Sequence, residues 1–209
     1  MTKEVCLVGC GPGGLDWVTP AARAAVAEAE VVFGPPDLHE LFPGISAARL
    51  DLPFRPEAAA TLVSASRARG LSCAVLVRGD CGIHSLARGI QRLLGSESCR
   101  RVPGISSVQV ACARFGLDWD GLRVVSAHGC QPRVLESADL RAPVVAVLGG
   151  GPGFGRTVEG LRALLGVRRA CLGSDLTLPG ETLREVGPRE AIPADLPSRT
   201  VALLPREES

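Results

Sequence analysis

Apolar and polar positions alternate along this chain on two periods. EVCLV (4–8), VVF (31–33), CAVLV (73–77) and CRRV (99–102) are short runs bounded by glycine, proline or small polar residues, and they predict strands. Stretches of helical period lie between them. Thr19-Pro20 opens AARAAVAEAE, with threonine as cap and proline in the first turn. PEAAATLVSASRAR (56–69) predicts a helix closed by Gly70. IHSLARGIQRLLG (83–95) carries apolar residues at 83, 86, 90, 93 and 94, a helical stripe, and SVQVACARFG (107–116) predicts a further helix. This rhythm predicts a mainly parallel sheet covered by helices.

Beyond Gly116 the pattern changes. LRVVSA (122–127), PVVAVL (143–148), RRACLG (168–173) and RTVALLP (199–205) predict strands, with residues 180–187 as a further candidate. Glycines 149–151, 153 and 155 predict a loop before the helix TVEGLRALL (157–165). Strands without a helix between them predict a mixed sheet. The fold class is therefore α/β with two domains: 1–116 with a mainly parallel sheet, and 117–209 with a mixed one.

Composition narrows the function. The chain has 209 residues, 46% of them apolar, enough for a substantial core. Its formal net charge of +1 gives no reason to expect nucleic acid or an acidic membrane as partner. Lys3 is the only lysine, so the cationic surface is arginine, the better partner for carboxylates. No stretch reaches the roughly 18 apolar residues of a membrane span, and the N-terminus runs straight into a strand without a secretory signal. A cytoplasmic location is the expectation. The eight cysteines form no C-x-x-C pair, so no metal site is expected from them; they read as small buried apolar residues in a reducing compartment.

GCGPGGLDWVTPAARAAV (9–26) contains the dinucleotide spacing G-x-G-x-x-G at Gly9, Gly11 and Gly14. The context fails. The helix cap falls at Thr19, five residues beyond Gly14, and Pro12 removes a backbone N–H that a phosphate would need. Gly34 stands where an acidic residue would end the second strand. Two further turns, RGDCG (78–82) and PGISS (103–107), also follow predicted parallel strands. Three such turns at the carboxyl edge of one sheet predict a ligand site built from backbone. Without a phosphate cradle, it suits a nucleoside bearing a charged sulfonium better than a nucleotide. GGGPGFGR (149–156) lacks the Lys-Ser/Thr ending of a phosphate loop.

VGCGPGGLDWVTPAA, VVFG, VRGDCGIHSLA and VPGISSVQVACARFGL, in that order and spacing, resemble the tetrapyrrole methylases over essentially the whole chain. Those enzymes transfer methyl from S-adenosylmethionine to intermediates of cobalamin and sirohaem synthesis. The resemblance implies their fold, two α/β domains with an active-site cleft between them, usually in a homodimer. Within the family, PGISSVQVACARFGLDWDGLRVVSAHG resembles the branch that methylates C5 of a corrin-ring precursor, with or without cobalt. The length resembles a stand-alone C5 enzyme, with a separate C15-methylating decarboxylase as functional partner.

For S-adenosylmethionine, the resemblance implies contacts from Pro12, Arg78, Gly79, Asp80 and Ile83, from Ser106 and Ser107 around the methionine part, from Leu148, and from Leu176 and Thr177 near adenine. Gly11, Gly13, His84, His128 and Arg133 are candidate substrate contacts, and His128 is also the candidate for proton transfer because histidine titrates near neutrality. Two positions depart from the family: its G-D-P reads Gly79-Asp80-Cys81, and the acid that many relatives carry after the second strand is Gly34. Asp80 also has a bland reading, an aspartate bonding its own turn. Two alternatives stay open: a family member acting on another tetrapyrrole position or substrate, and a non-catalytic module that binds nucleoside or tetrapyrrole.

Overall fold

The computed structural model describes residues 3–127 and 141–206. They divide into two compact units, Met1–Ser106 and Ser107–Ser209.

In the first unit five parallel strands form one sheet. In chain order they are β1 (Val5–Gly9), β2 (Val31–Phe33), β3 (Ala48–Leu50), β4 (Cys73–Val77) and β5 (Cys99–Val102), and in space they run β3-β2-β4-β1-β5. The central strand β4 is buried at every residue, as expected of a parallel strand covered on both faces. Its side chains alternate between two cores. Val75 and Val77 pack with Ala59 and Val63 of α3 (Pro56–Ala68) and with Ile90 of α4 (Leu86–Leu94). Ala74 and Leu76 pack with Ala22 and Val26 of α1 (Pro20–Ala27) and with Leu38 of α2 (Pro36–His39). α1 begins where the sequence places it: Thr19 Oγ1 accepts the Ala22 N–H at 3.1 Å.

The second unit opens with α5 (Ser107–Phe115), which packs against the last strand of its sheet. That sheet holds β6 (Arg123–Ser126), β7 (Val144–Gly151), β8 (Ala170–Ser174), β9 (Thr182–Val186) and β10 (Leu196–Pro205), in the order β6-β7-β10-β8-β9. Only β6 and β7 pair in parallel, so the sheet is mixed. Val158, Leu161 and Leu165 of α6 (Phe154–Leu165) close one face against Val145, Val147, Ala202 and Leu204.

Several local expectations shift. The division falls at Ser106/Ser107 and not at 116/117, because α5 packs on β10. β7 runs through Gly149–Gly151, where a loop was expected, because β10 pairs with it as far as Gly151. α6 starts at Phe154, capped by Gly153 in the left-handed region. α4 starts at Leu86, so Ile83 and His84 lie in the turn before it. α2 and β3 carry no clear sequence signal; all three residues of β3 are exposed.

Candidate functional site

The three glycine-bearing turns leave the carboxyl ends of β4, β1 and β5, three neighbours in the first sheet. The first two are joined backbone to backbone. Gly11 and Gly79 exchange both hydrogen bonds of an antiparallel bridge, the Gly11 N–H donating to Gly79 O at 3.2 Å and the Gly79 N–H to Gly11 O at 2.9 Å. Both glycines have positive φ, +79° and +62°, which a side chain would make costly. The third turn closes on the same point. A Cβ on Gly9 would stand 2.6 Å from the Gly104 nitrogen, and one on Gly104 would stand 2.6 Å from the Gly9 carbonyl carbon.

Asp80 fastens this arrangement. Its Oδ1 accepts the Gly82 N–H at 2.7 Å within its own turn, and its Oδ2 accepts the Gly104 N–H at 3.1 Å from the third turn. Cys81 is buried in the same turn. Its Sγ donates towards Leu7 O at 3.1 Å and Val102 O at 3.4 Å, and burial pushes the thiol up to about 11. Cys10 is likewise pushed up to about 12 by burial. Neither thiol is a nucleophile near neutral pH.

The remaining candidates are distributed as follows. Pro12 and Gly13 are half-buried beside Gly11. Between Gly14 and the α1 cap the chain makes a short 3-10 turn, Leu15–Trp17, so no helix N-terminus follows the glycines directly. Arg78 is exposed and pairs with Asp37 of α2. With His84, which holds φ +43°, Arg78 borders a pocket of about 160 Å³ walled by Pro35, Leu38, Phe54 and Leu86. Ser106 is buried at the end of the third turn, and Ser107 starts α5. In the second unit, Leu148 is buried in β7, with its carbonyl accepting the Ala127 N–H at 2.8 Å. Leu176 is buried and Thr177 half-buried in the turn after β8. His128 and Arg133 lie outside the described residues.

Two features were missed by sequence reasoning. Gly34 has a packing reason: a Cβ there would stand 2.9 Å from the Leu76 Cβ. The acid near the end of β2 is instead Asp37, three residues on. The glycine-rich stretch before α6 spends its donors within the protein, the Gly153 N–H on Asp195 Oδ1 at 2.9 Å and the Gly155 N–H on Ala194 O at 3.0 Å. Among the described residues there is no group of three or more His, Cys, Asp or Glu that could hold a metal ion, and no helix long and apolar enough to cross a membrane.

The family model of the tetrapyrrole (corrin/porphyrin) methylases matches residues 4–192. A cobalt-precorrin-7 C(5)-methyltransferase of Salmonella typhimurium is 32% identical over 123 residues, 59% of this chain and 60% of that protein. A decarboxylating precorrin-6Y C(5,15)-methyltransferase of Mycobacterium tuberculosis is 27% identical over 68% of this chain and 36% of its own length. The matches thus span less than two thirds of either relative. Among solved structures, a precorrin-6Y methylase from Archaeoglobus fulgidus superposes with a TM-score of 0.72 at 25% identity, covering 98% of this chain and 99% of that one.

Proposed function

The chain belongs to the tetrapyrrole (corrin/porphyrin) methylases, and from that premise we propose that it transfers a methyl group from S-adenosylmethionine to C5 of a corrin-ring precursor in cobalamin biosynthesis. The observation that carries the reading is the cluster of three glycine turns at the carboxyl ends of β4, β1 and β5, two bridged through Gly11 and Gly79 and the third tied to them by Asp80. Its chemistry fits the cofactor. The turns present backbone where side chains would intrude: a Cβ on Gly79 would meet only the Ser106 Cα, at 3.9 Å. That lets a ligand approach the backbone closely, although the N–H groups of Gly11, Gly79, Gly82 and Gly104 are themselves bonded within the turns and serve to hold them in shape. The assignment to C5 rests on the Salmonella relative and on the segment from Pro103 to Gly129.

Pro12, Arg78, Gly79, Asp80, Ile83, Ser106 and Ser107 would hold the cofactor, with Leu148, Leu176 and Thr177 contributing from the second unit. Asp80 acts here by fixing the Gly104 backbone, whose N–H it binds. The cofactor, when bound, supplies a methyl already activated by its sulfonium. The chain's own task is alignment and exclusion of water, which rigid backbone turns perform without titratable groups. The 160 Å³ pocket beside Arg78 is far below the size of a macrocycle site, about 300 Å³ or more even for small ligands, and suits one peripheral carboxylate arm. Gly11, Gly13, His84 and Arg133 are the further substrate contacts of this reading, with His128 for proton transfer. A homodimer, a cytoplasmic location and a separate C15-methylating decarboxylase as functional partner complete it.

The test is methyl transfer from labelled S-adenosylmethionine to the ring-reduced, C5-unmethylated precursor, offered with and without cobalt. A single new methyl at C5 by carbon NMR is the expected product, and the preferred acceptor identifies the pathway branch. Cofactor binding without methylation of either acceptor sinks the C5 assignment.

A further inference from the structure

The turn after β8 holds two residues in backbone conformations that their side chains disfavour. Asp175 has φ +48° and Thr177 has φ +71°. A β-branched residue in the left-handed region is a genuine outlier and persists only where its surroundings enforce it. Here the enforcement is visible. The Thr177 N–H donates to Glu181 Oε2 at 2.7 Å. Glu181 is in turn held by Arg114 at the end of α5, Nε to Oε1 at 2.7 Å and Nη2 to Oε2 at 3.4 Å. The turn is also pinned from below: the Asp175 N–H donates to Arg199 O at 3.0 Å, and Leu176 is buried against Gly173. The ion pair is partly shielded, Glu181 showing 21% of its side chain to solvent. The Arg114 guanidinium and the Thr177 N–H together hold the Glu181 carboxyl below the usual carboxylate range.

Arg114 stands seven residues after Ser107 on α5, so the two share a helix face about 10 Å apart along the axis. One end of α5 carries a candidate contact for the methionine part of the cofactor; the other fixes the turn that carries the candidate adenine contacts. We infer that Arg114 and Glu181 are positioning residues for the cofactor, holding Thr177 in its left-handed conformation so that the adenine-contacting turn is formed before the cofactor arrives. This rests on the proposal that Leu176 and Thr177 contact S-adenosylmethionine. Neither Arg114 nor Glu181 need touch the ligand. Their effect is on the fraction of molecules with the turn already formed, which scales the apparent affinity directly.

The experiment is calorimetric titration with S-adenosylmethionine and steady-state kinetics on Glu181→Gln and Arg114→Gln, each made in the parent chain and in Thr177→Gly. Glycine takes the left-handed conformation without enforcement. In the parent chain each substitution is expected to weaken cofactor binding about tenfold, the scale of one charge-assisted hydrogen bond. KM for the cofactor rises by the same factor, while kcat at saturating cofactor stays within about twofold because alignment of bound donor and acceptor is untouched. In the Thr177→Gly background the penalty shrinks to about twofold or less. Equal penalties in both backgrounds, or unchanged affinity in the parent, overturn the inference, since a merely structural ion pair does not depend on residue 177. A parent protein that binds no S-adenosylmethionine overturns the underlying reading itself, an outcome distinct from both.

Discussion

At the scale of single residues, the site depends on atoms that are missing and on one carboxylate. Gly104→Ala puts a methyl group against the Gly79 and Gly9 backbones, and backbone cannot swing aside as a flexible side chain does. Overpacking of this kind costs roughly 1–3 kcal/mol. The expected result is a lower midpoint in urea with an unchanged slope, together with lost cofactor binding; a variant as stable as the parent refutes the interlock. Asp80→Asn asks a different question. The amide keeps one acceptor but turns an NH2 group towards either the Gly82 or the Gly104 N–H. One donor is left unsatisfied in a half-buried turn, a loss of about 1–3 kcal/mol without any ligand present. Weaker cofactor binding at unchanged stability would instead make Asp80 a direct ligand contact. Sequence alone offered both readings, because an aspartate in a glycine turn looks the same whether it faces ligand or backbone. The Arg114–Glu181 pair was illegible for a related reason: its partners are 67 residues apart, and nothing in the sequence ties the two together.

At the scale of elements, what was legible followed burial. β1 and β4 were visible because nearly every side chain in them is buried, which demands an apolar run. β3 was not, since an exposed three-residue edge strand leaves its side chains unconstrained. The start of α4 was misread because Ile83 fits the apolar stripe in sequence, while the Ser85 cap decides where the helix begins. Among the described cysteines all but Cys6 are buried, and this sets the alkaline behaviour. Burial raises the thiols of Cys10, Cys81 and Cys171 from the ordinary 9.0 to about 12, 11 and 11. Between those limits the unfolded chain has released thiol protons that the folded chain retains. Stability is therefore complete below about pH 9 and falls as pH rises through the window to about 12. The chain has no tyrosine and a single lysine, so few other side chains titrate there. A urea midpoint clearly lower at pH 10 than at pH 8 is expected, with the difference reduced in Cys10→Ala. Equal midpoints would mean that the thiols are accessible to water in the native state.

At the scale of the whole molecule, each apolar core belongs to one unit. Every member of the cores around β4 falls before Ser106, and every member of the α6 core falls after Ser107. Each unit therefore has its own source of stability, and amide hydrogen exchange can report on them separately. The proposed cofactor contacts divide across the same line, with the glycine turns and Ser106 in the first unit and Ser107, Leu148, Leu176 and Thr177 in the second. A ligand that binds only folded protein stabilises what it touches by about 2.7 kcal/mol at a hundredfold excess over its dissociation constant. Saturating S-adenosylmethionine is thus expected to slow exchange in β1 and β4 and also in β8 and the turn from Asp175 to Glu181. Protection confined to the first unit would leave the three glycine turns as the whole binding site and remove Leu148, Leu176 and Thr177 from it. Protection confined to the second unit would detach the glycine bridge from cofactor binding, and with it the observation on which the proposed activity stands.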